Sequence, residues 1–392
     1  MLERLDPQSP DALLALIKLH ASDTREDKID LGVGVYRDAD GDTPVFRSIK
    51  GAEARLLEQQ DSKAYLGPEG DMGFVHALMP YIFGRQNTAK GGRIEGMQTP
   101  GGTGAVRLAL ALVQRAGVKR VLLGTPSWPN HAQILEDLGL EVVTFPHVLA
   151  GGQANVNGLL EAIHQAGPYS AVLLHGCCHN PTGIDYTDED WTKIAHSLVE
   201  TGVFPIIDLA YQGLGRGLEE DAQGLRRVLA EVPEALIAYS CDKNFGLYRD
   251  RVGALYMMAA EPGQLDRITS NANALARATW SMPPDHGAAA VRLTLRDTDL
   301  TQQWLEELQS MRERMRRVRQ HLAGADEVEG LNLRALAKGN GLFAMLDLDE
   351  EQIAALRKDH GVYMAGSGRI NVAGLTEANT PKFIAALKDV TA

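Results

Sequence analysis

The sequence predicts an α/β protein built on a mostly parallel sheet, and three features predict it. Short apolar runs recur at 120–123, 142–145, 171–174, 204–207, 235–239 and 252–257. They are rich in β-forming residues and do not alternate with polar ones, which suits strands buried on both faces. Helical patterns lie between several of them, as at 188–199 and 222–229, and strand–helix alternation argues for a parallel sheet. The third feature lies just past each run: polar, aromatic or charged residues that a plain turn does not need.

Length and composition bound the rest. The 392 residues, 44% of them apolar, allow a large domain with a smaller one and a sizeable core. A formal charge of −12 repels nucleic-acid phosphates and anionic membrane surfaces, so neither is an expected partner. The basic residues that matter should sit in a pocket. Cys177, Cys178 and Cys241 are an odd set without CxxC or paired-His spacing. They predict neither a disulfide framework nor a metal site, and they fit a reducing, cytoplasmic compartment. The first twenty residues lack the basic start and long apolar run of a signal peptide. No apolar stretch is long enough to span a bilayer.

No internal repeat or low-complexity segment interrupts the chain. From 300 to 322 the pattern becomes one long, charged amphipathic helix. A long helix joining two bodies marks a domain boundary. The expected division is a large domain over 37–304 and a small domain made of 1–36 with 305–392.

In open α/β sheets, ligands bind beyond the carboxyl ends of the strands. The segments there are GTPSWPNH (124–131), HGCCHNPTG (175–183), DLAYQG (208–213) and SCDKNFGLYRDR (240–251). Lys243 follows a buried run, where a lysine is costly unless it is solvated or used. Alone it reads as a surface loop residue; its neighbours change that. Asp208 ends another run, where an unpaired carboxylate would be expensive, although a turn or N-cap aspartate is an equal reading in isolation. GGTGAV (101–106) precedes a helical pattern, and its glycines let backbone N–H groups approach an anion. A dinucleotide loop competes, but no clear strand precedes this segment and the GxGxxG spacing is missing. Arg251 can bring a fixed cation. Trp128 can stack on a planar ring, and Asn180 and Tyr211 can hydrogen-bond a ring hydroxyl. Each of these also has an ordinary core, turn or surface reading.

An amine, an acid and an anion cradle together are what pyridoxal 5′-phosphate requires: for its aldehyde, its pyridine nitrogen and its phosphate. Arg369 in SGRINVAG and Arg277 in ARATWSMPP are candidates for gripping carboxylates bidentately. An amino acid brings one carboxylate and a dicarboxylate brings two.

Taken together, these segments resemble the class I aminotransferases of fold type I, near the aspartate and aromatic-amino-acid enzymes. Matching stretches are GVGVYRD (32–38), AYLGPEG (64–70), TPGGTGA (99–105), PSWPNH (126–131), HGCCHNPTG (175–183), DLAYQG (208–213), SCDKNFGLYRDRVG (240–253) and SGRINVAG (367–374). The resemblance implies a pyridoxal-phosphate transaminase. It would move an amino group between an aromatic or acidic amino acid and 2-oxoglutarate, in a ping-pong cycle between pyridoxal and pyridoxamine phosphate. Lys243 would hold the cofactor covalently and shuttle the proton. Asp208 would bind the pyridine N–H, with His131 behind it. Tyr211 and Asn180 would meet the ring hydroxyl, and Trp128 would stack on the ring. Gly102, Thr103, Ser240 and Arg251 would hold the phosphate, joined by Tyr65 from the other subunit of a homodimer. Arg369 would bind the α-carboxylate, with Asn180 and the backbone at Gly34 nearby. Arg277 of the partner would meet the side-chain carboxylate, and Phe343 would lie near the substrate. A lyase or decarboxylase on the same fold is the alternative.

Three departures from the family pattern stand out. Asp242 replaces the small hydroxyl residue before the lysine. A carboxylate there repels a phosphate dianion unless it is protonated, turned away or offset by Arg251. Trp280 and Met282 follow Arg277 where aspartate-preferring members carry a smaller aromatic and a polar amide. Ala64 precedes Tyr65 where a polar residue is frequent.

Overall fold

The computed structural model describes residues 1–7, 12–85, 90–325 and 328–392. Among them are eleven strands: β1 (Ile29–Asp30), β2 (Ile94–Pro100), β3 (Arg120–Thr125), β4 (Glu141–Pro146), β5 (Ser170–His175), β6 (Phe204–Leu209), β7 (Ala235–Ser240), β8 (Val252–Met258), β9 (Phe343–Met345), β10 (Val362–Tyr363) and β11 (Arg369–Asn371). Two compact units are present, Pro44–Glu313 and Met1–Thr43 with Arg314–Ala392. No helix among the described residues is long and apolar enough to cross a membrane.

The larger unit holds a seven-stranded sheet in the order β2-β8-β7-β6-β5-β3-β4. Strands β3 to β7 pair in parallel. Only β8 is reversed, pairing antiparallel with both β2 and β7. The carboxyl ends of β3, β5, β6 and β7 therefore emerge on one edge. The six apolar runs are six of these strands, each within two residues of its expected ends. The helix Gly101–Arg115 packs Val106, Leu110 and Val113 onto Val121, Leu123 and Leu255 of the sheet. All six are nearly inaccessible, and truncating one such leucine to alanine typically costs about 2–5 kcal/mol.

One strand was not expected. β2 leads straight into the glycine-rich helix, contrary to the reading that no strand precedes GGTGAV. Gly96 and Pro100 hide it, because neither favours a strand. Gly96 is required there: a Cβ would lie 2.6 Å from the Tyr256 ring, whose hydroxyl donates to Val75 O at 2.7 Å. The dinucleotide alternative still fails. The chain passes from β2 at one edge to β3 near the other, so the two are not the adjacent strands of a dinucleotide-binding βαβ unit.

In the smaller unit β1 pairs in parallel with β10, and β9 pairs antiparallel with β11, setting Phe343 opposite Asn371. The long helix, expected over 300–322, runs Thr298–Ala323. Its buried Arg319 donates to Leu336 O, Gly341 O and Phe343 O, while Arg314 donates to Ala373 O and Leu375 O. These bonds satisfy backbone carbonyls that would otherwise be buried without donors, and they fix the backbone of β9.

Candidate active site

Register places the first pair. His175 lies opposite Asp208 at the carboxyl ends of β5 and β6. The helix Pro129–Asp137, which starts after β3, brings His131 to the same point. Asp208 Oδ2 accepts from His131 Nε2 at 3.0 Å, and both side chains are buried. An ionised carboxylate only accepts, so His131 donates there, and its Nδ1 lies 3.1 Å from the Ser127 hydroxyl. Ser127 Oγ is in turn 3.2 Å from His175 Nε2. Beyond His175 lie His179 at 4.3 Å between ring centres, then His147, stacked on His179 at 3.5 Å and 7°. Burial lowers the pKa of His175 and His179 and pushes that of His147 down to about 4. His175, His179 and His147 are therefore neutral near pH 7.

Lys243 follows β7 in a tightly held turn. Asn244 donates to Tyr239 Oη at 2.8 Å and to Gln212 O at 3.1 Å. Trp304 donates to Asn244 O at 2.7 Å and stacks on Phe245 with ring centres 4.5 Å apart. The lysine is half-buried, and its Nζ stands 5.2 Å from the centre of the Tyr211 ring. Desolvation lowers its pKa, opposed by the charges of Asp242 and Asp208. A lysine so placed offers more of its unprotonated, nucleophilic form.

Beside it is an anion cradle. The helix Gly101–Arg115 presents unpaired N–H groups in its first turn. Gly101 has φ +73°, and a Cβ on it would lie 2.5 Å from Arg251 Nη2. A Cβ on Gly102 would lie 2.8 Å from Ser240 Cβ. Side chains at either position would fill the space between helix, serine and guanidinium. Thr103 lies in the same turn. Arg251 itself has φ +56°, a conformation costly for a non-glycine residue and a frequent mark of functional sites. Its Nη1 donates to Asp242 Oδ2 at 2.5 Å and to Tyr248 O at 3.0 Å.

Asn180 is buried and its Nδ2 is 3.5 Å from Tyr211 Oη, while its Oδ1 has no partner among the described residues. That amide has hydrogen-bonding capacity in hand beside a phenol, which a ring hydroxyl would use. Half-buried Trp128 meets His131 edge-on at 5.1 Å. Carboxylate, amine, aromatic face, amide with phenol and glycine-lined cradle together fit pyridoxal 5′-phosphate.

The remaining expected residues are carried by other elements. In the smaller unit the Arg369 guanidinium sits 4.6 Å over the Phe343 ring and donates to Gly32 O at 2.8 Å. A Cβ on Gly34 would lie 2.8 Å from Phe343 Cζ, so that strip of backbone needs glycine. In the larger unit Arg277 is exposed in the last turn of the helix Leu265–Thr279 and bonds Ser281 Oγ. Trp280 packs against the core under the glycine-rich helix, with its Nε1 buried and unpartnered among the described residues. Met282 Sδ accepts from Leu66 N. Tyr65 is 93% exposed. The cluster of Cys177, Cys178 and Asp221 brings ligand-type atoms within 4.8 Å. Asp221 is already spent there, accepting from the backbone N–H groups of Gly213, Gly215 and Arg216.

Sequence reasoning missed the extended imidazole row. Ser127, His175 and His179 lay inside the quoted segments, but nothing local links residues 48 apart such as Ser127 and His175. His147 had no signal at all.

Comparison with known proteins identifies the family. The family model for class I and II aminotransferases matches residues 26–387. A tyrosine aminotransferase of Rhizobium meliloti is 49% identical over 96% of this chain and 97% of its own length. An aspartate aminotransferase of Escherichia coli is 42% identical, covering 97% of each. The solved aromatic-amino-acid aminotransferase of Burkholderia pseudomallei, covalently bound to pyridoxal phosphate, superposes with a TM-score of 0.95 at 31% identity over the whole of both chains. Matches of this extent, on a fold and a site that fit the cofactor independently, make the chain a member of the class I and II aminotransferases, a fold type I transaminase that uses pyridoxal 5′-phosphate.

Proposed function

We propose that this transaminase exchanges the amino group of an aromatic or acidic amino acid (tyrosine, phenylalanine or aspartate) with 2-oxoglutarate. The observation that carries the catalytic part is the buried Asp208–His131 pair beside a lysine whose pKa is lowered by desolvation. Relatives named for tyrosine and for aspartate, at 49% and 42% identity, support the substrate range.

Bound pyridoxal phosphate supplies a conjugated ring that accepts the electron pair left when the substrate Cα loses its proton. The rest falls to this chain. Asp208, oriented by His131, stabilises positive charge at the pyridine nitrogen. Asn180 and Tyr211 donate toward the ring hydroxyl, and Trp128 covers one ring face. Gly102, Thr103, Ser240 and Arg251 hold the phosphate. With the cofactor bound, the Lys243 amine would take the Cα proton and return it at the cofactor's aldehyde-derived carbon, on the far side of the substrate nitrogen, which is the proton shift that separates amino acid from oxo acid. Arg369 takes the α-carboxylate, near Phe343 and the Gly34 backbone.

The same reading makes the enzyme a cytoplasmic homodimer with shared sites. Tyr65, a large aromatic left 93% exposed, reaches the partner's phosphate, and Arg277 reaches the partner's side-chain carboxylate. A large domain over 37–304 and a small one from 1–36 with 305–392 belong to it as well. The test is a donor panel with 2-oxoglutarate, reading kcat/KM for tyrosine, phenylalanine, aspartate and glutamate, on protein whose mass is measured in solution. A panel with no aromatic or acidic donor above background would reject the assignment.

A further inference from the structure

We propose that Asp242 is an internal competitor for the cofactor's phosphate: its carboxylate holds Arg251, and phosphate must take Arg251 from it. The proposal rests on the assignment of Arg251 to the phosphate site.

Four observations converge. Asp242 Oδ2 lies 2.5 Å from Arg251 Nη1, and the aspartate side chain is only 5% exposed while the arginine's is 39% exposed. The pair is thus anchored at the carboxylate end. The same guanidinium borders the glycine cradle, since a Cβ on Gly101 would sit 2.5 Å from its Nη2. Phosphate in that cradle and Asp242 would address one cation from two sides. The second carboxylate oxygen, Oδ1, is buried with no hydrogen-bond partner among the described residues. The Asp242 backbone N–H meanwhile donates to Ser240 Oγ at 3.2 Å, tying the residue to the other phosphate-side group.

The physics of the competition is direct. A guanidinium forked between one carboxylate and one phosphate serves both at reduced strength, and the two anions repel each other across a poorly hydrated space. A serine or an asparagine at 242 removes the repulsion and leaves Arg251 wholly to phosphate. The reverse consequence concerns the cofactor-free protein. There Asp242 neutralises Arg251, so wild-type enzyme should tolerate cofactor loss better than either variant.

The experiment measures pyridoxal-phosphate dissociation constants by absorbance and equilibrium dialysis for wild type, Asp242→Ser and Asp242→Asn. Thermal unfolding of each cofactor-free protein, with and without millimolar inorganic phosphate, accompanies it. The expected result is cofactor binding at least tenfold tighter in both variants. The cofactor-free variants should melt below wild type, and inorganic phosphate should raise their midpoints more than the wild-type midpoint. Affinities within twofold of wild type, or weaker, would overturn the proposal, because Asp242 would then be neutral toward phosphate or donating to it. Equal melting of all three cofactor-free proteins, with no differential effect of phosphate, would overturn it too. Absence of cofactor binding in all three would instead reject the phosphate-site assignment on which it stands.

Discussion

His131 donates to Asp208 across 3.0 Å, and neither side chain is accessible enough for water to do the same work. The bond fixes the carboxylate's orientation and leaves its other oxygen for a cationic partner. Asp208→Asn removes the charge but keeps the shape. Its kcat should fall by at least about 100-fold, the scale of losing one preorganised electrostatic contact in a dry site. Cofactor affinity should fall much less, because the phosphate and lysine contacts remain. Steady-state kinetics at saturating cofactor alongside a dialysis constant reads both. A near wild-type kcat would make Asp208 an ordinary turn residue.

Lys243→Ala should lose the covalent link to the cofactor and nearly all turnover, by several orders of magnitude, since nucleophile and proton carrier are the same amine. Borohydride reduction of wild-type holoenzyme followed by peptide mapping locates the link. Label on any other lysine would refute the assignment.

Acid should act on the imidazole row. His147 is held near pKa 4 against 6.5 in the unfolded chain. A group whose folded pKa is depressed contributes stability that is present above its unfolded value and lost as pH falls toward its folded value. For His147 that window runs from about pH 6.5 to about 4, with roughly 3 kcal/mol at most at stake. His175 and His179 are shifted in the same direction. Asp221 opposes them: burial raises its carboxyl to about 6, so its contribution is complete below the unfolded value and is lost as pH rises through 6. Urea midpoints at pH 7, 5.5 and 4 should therefore fall more steeply for wild type than for His147→Phe. That variant keeps an aromatic ring against His179 without a titrating nitrogen. Parallel slopes would acquit His147.

The parallel strands were legible because burial on both faces leaves an unbroken apolar run, and the ligand-side loops came from the rule of strand ends. β2 was not legible, since Gly96 answers to Tyr256 of a neighbouring strand and no local pattern records that. Lys243, Asp208 and Arg251 could be picked out by type and position. That Asp242 holds Arg251 could only be posed as one of three outcomes, because the choice depends on where two side chains nine residues apart point. The His131–Asp208 contact joins residues 77 apart, and only the resemblance hinted at it.

Specificity gives the last prediction. Arg277 is exposed in the final turn of its helix, and its guanidinium bonds Ser281, itself at φ +68°. An exposed arginine on a flexible stem can turn toward a carboxylate or away into water. If it serves the side chain of acidic substrates, as proposed, it must also leave when an aromatic ring enters, because a desolvated guanidinium without a partner is costly. Trp280 is half-buried and packs against the core of the larger unit, so the charge that separates acidic from aromatic side chains in this proposal is that of Arg277. Arg277→Leu should cost aspartate and glutamate roughly 2–5 kcal/mol in transition-state binding, the scale of losing a buried charge partner. Tyrosine and phenylalanine should be unchanged or improved. Values of kcat/KM for all four donors in both proteins decide it: equal losses across acidic and aromatic donors would make Arg277 structural, and the group that reads the side-chain carboxylate would have to be another cation.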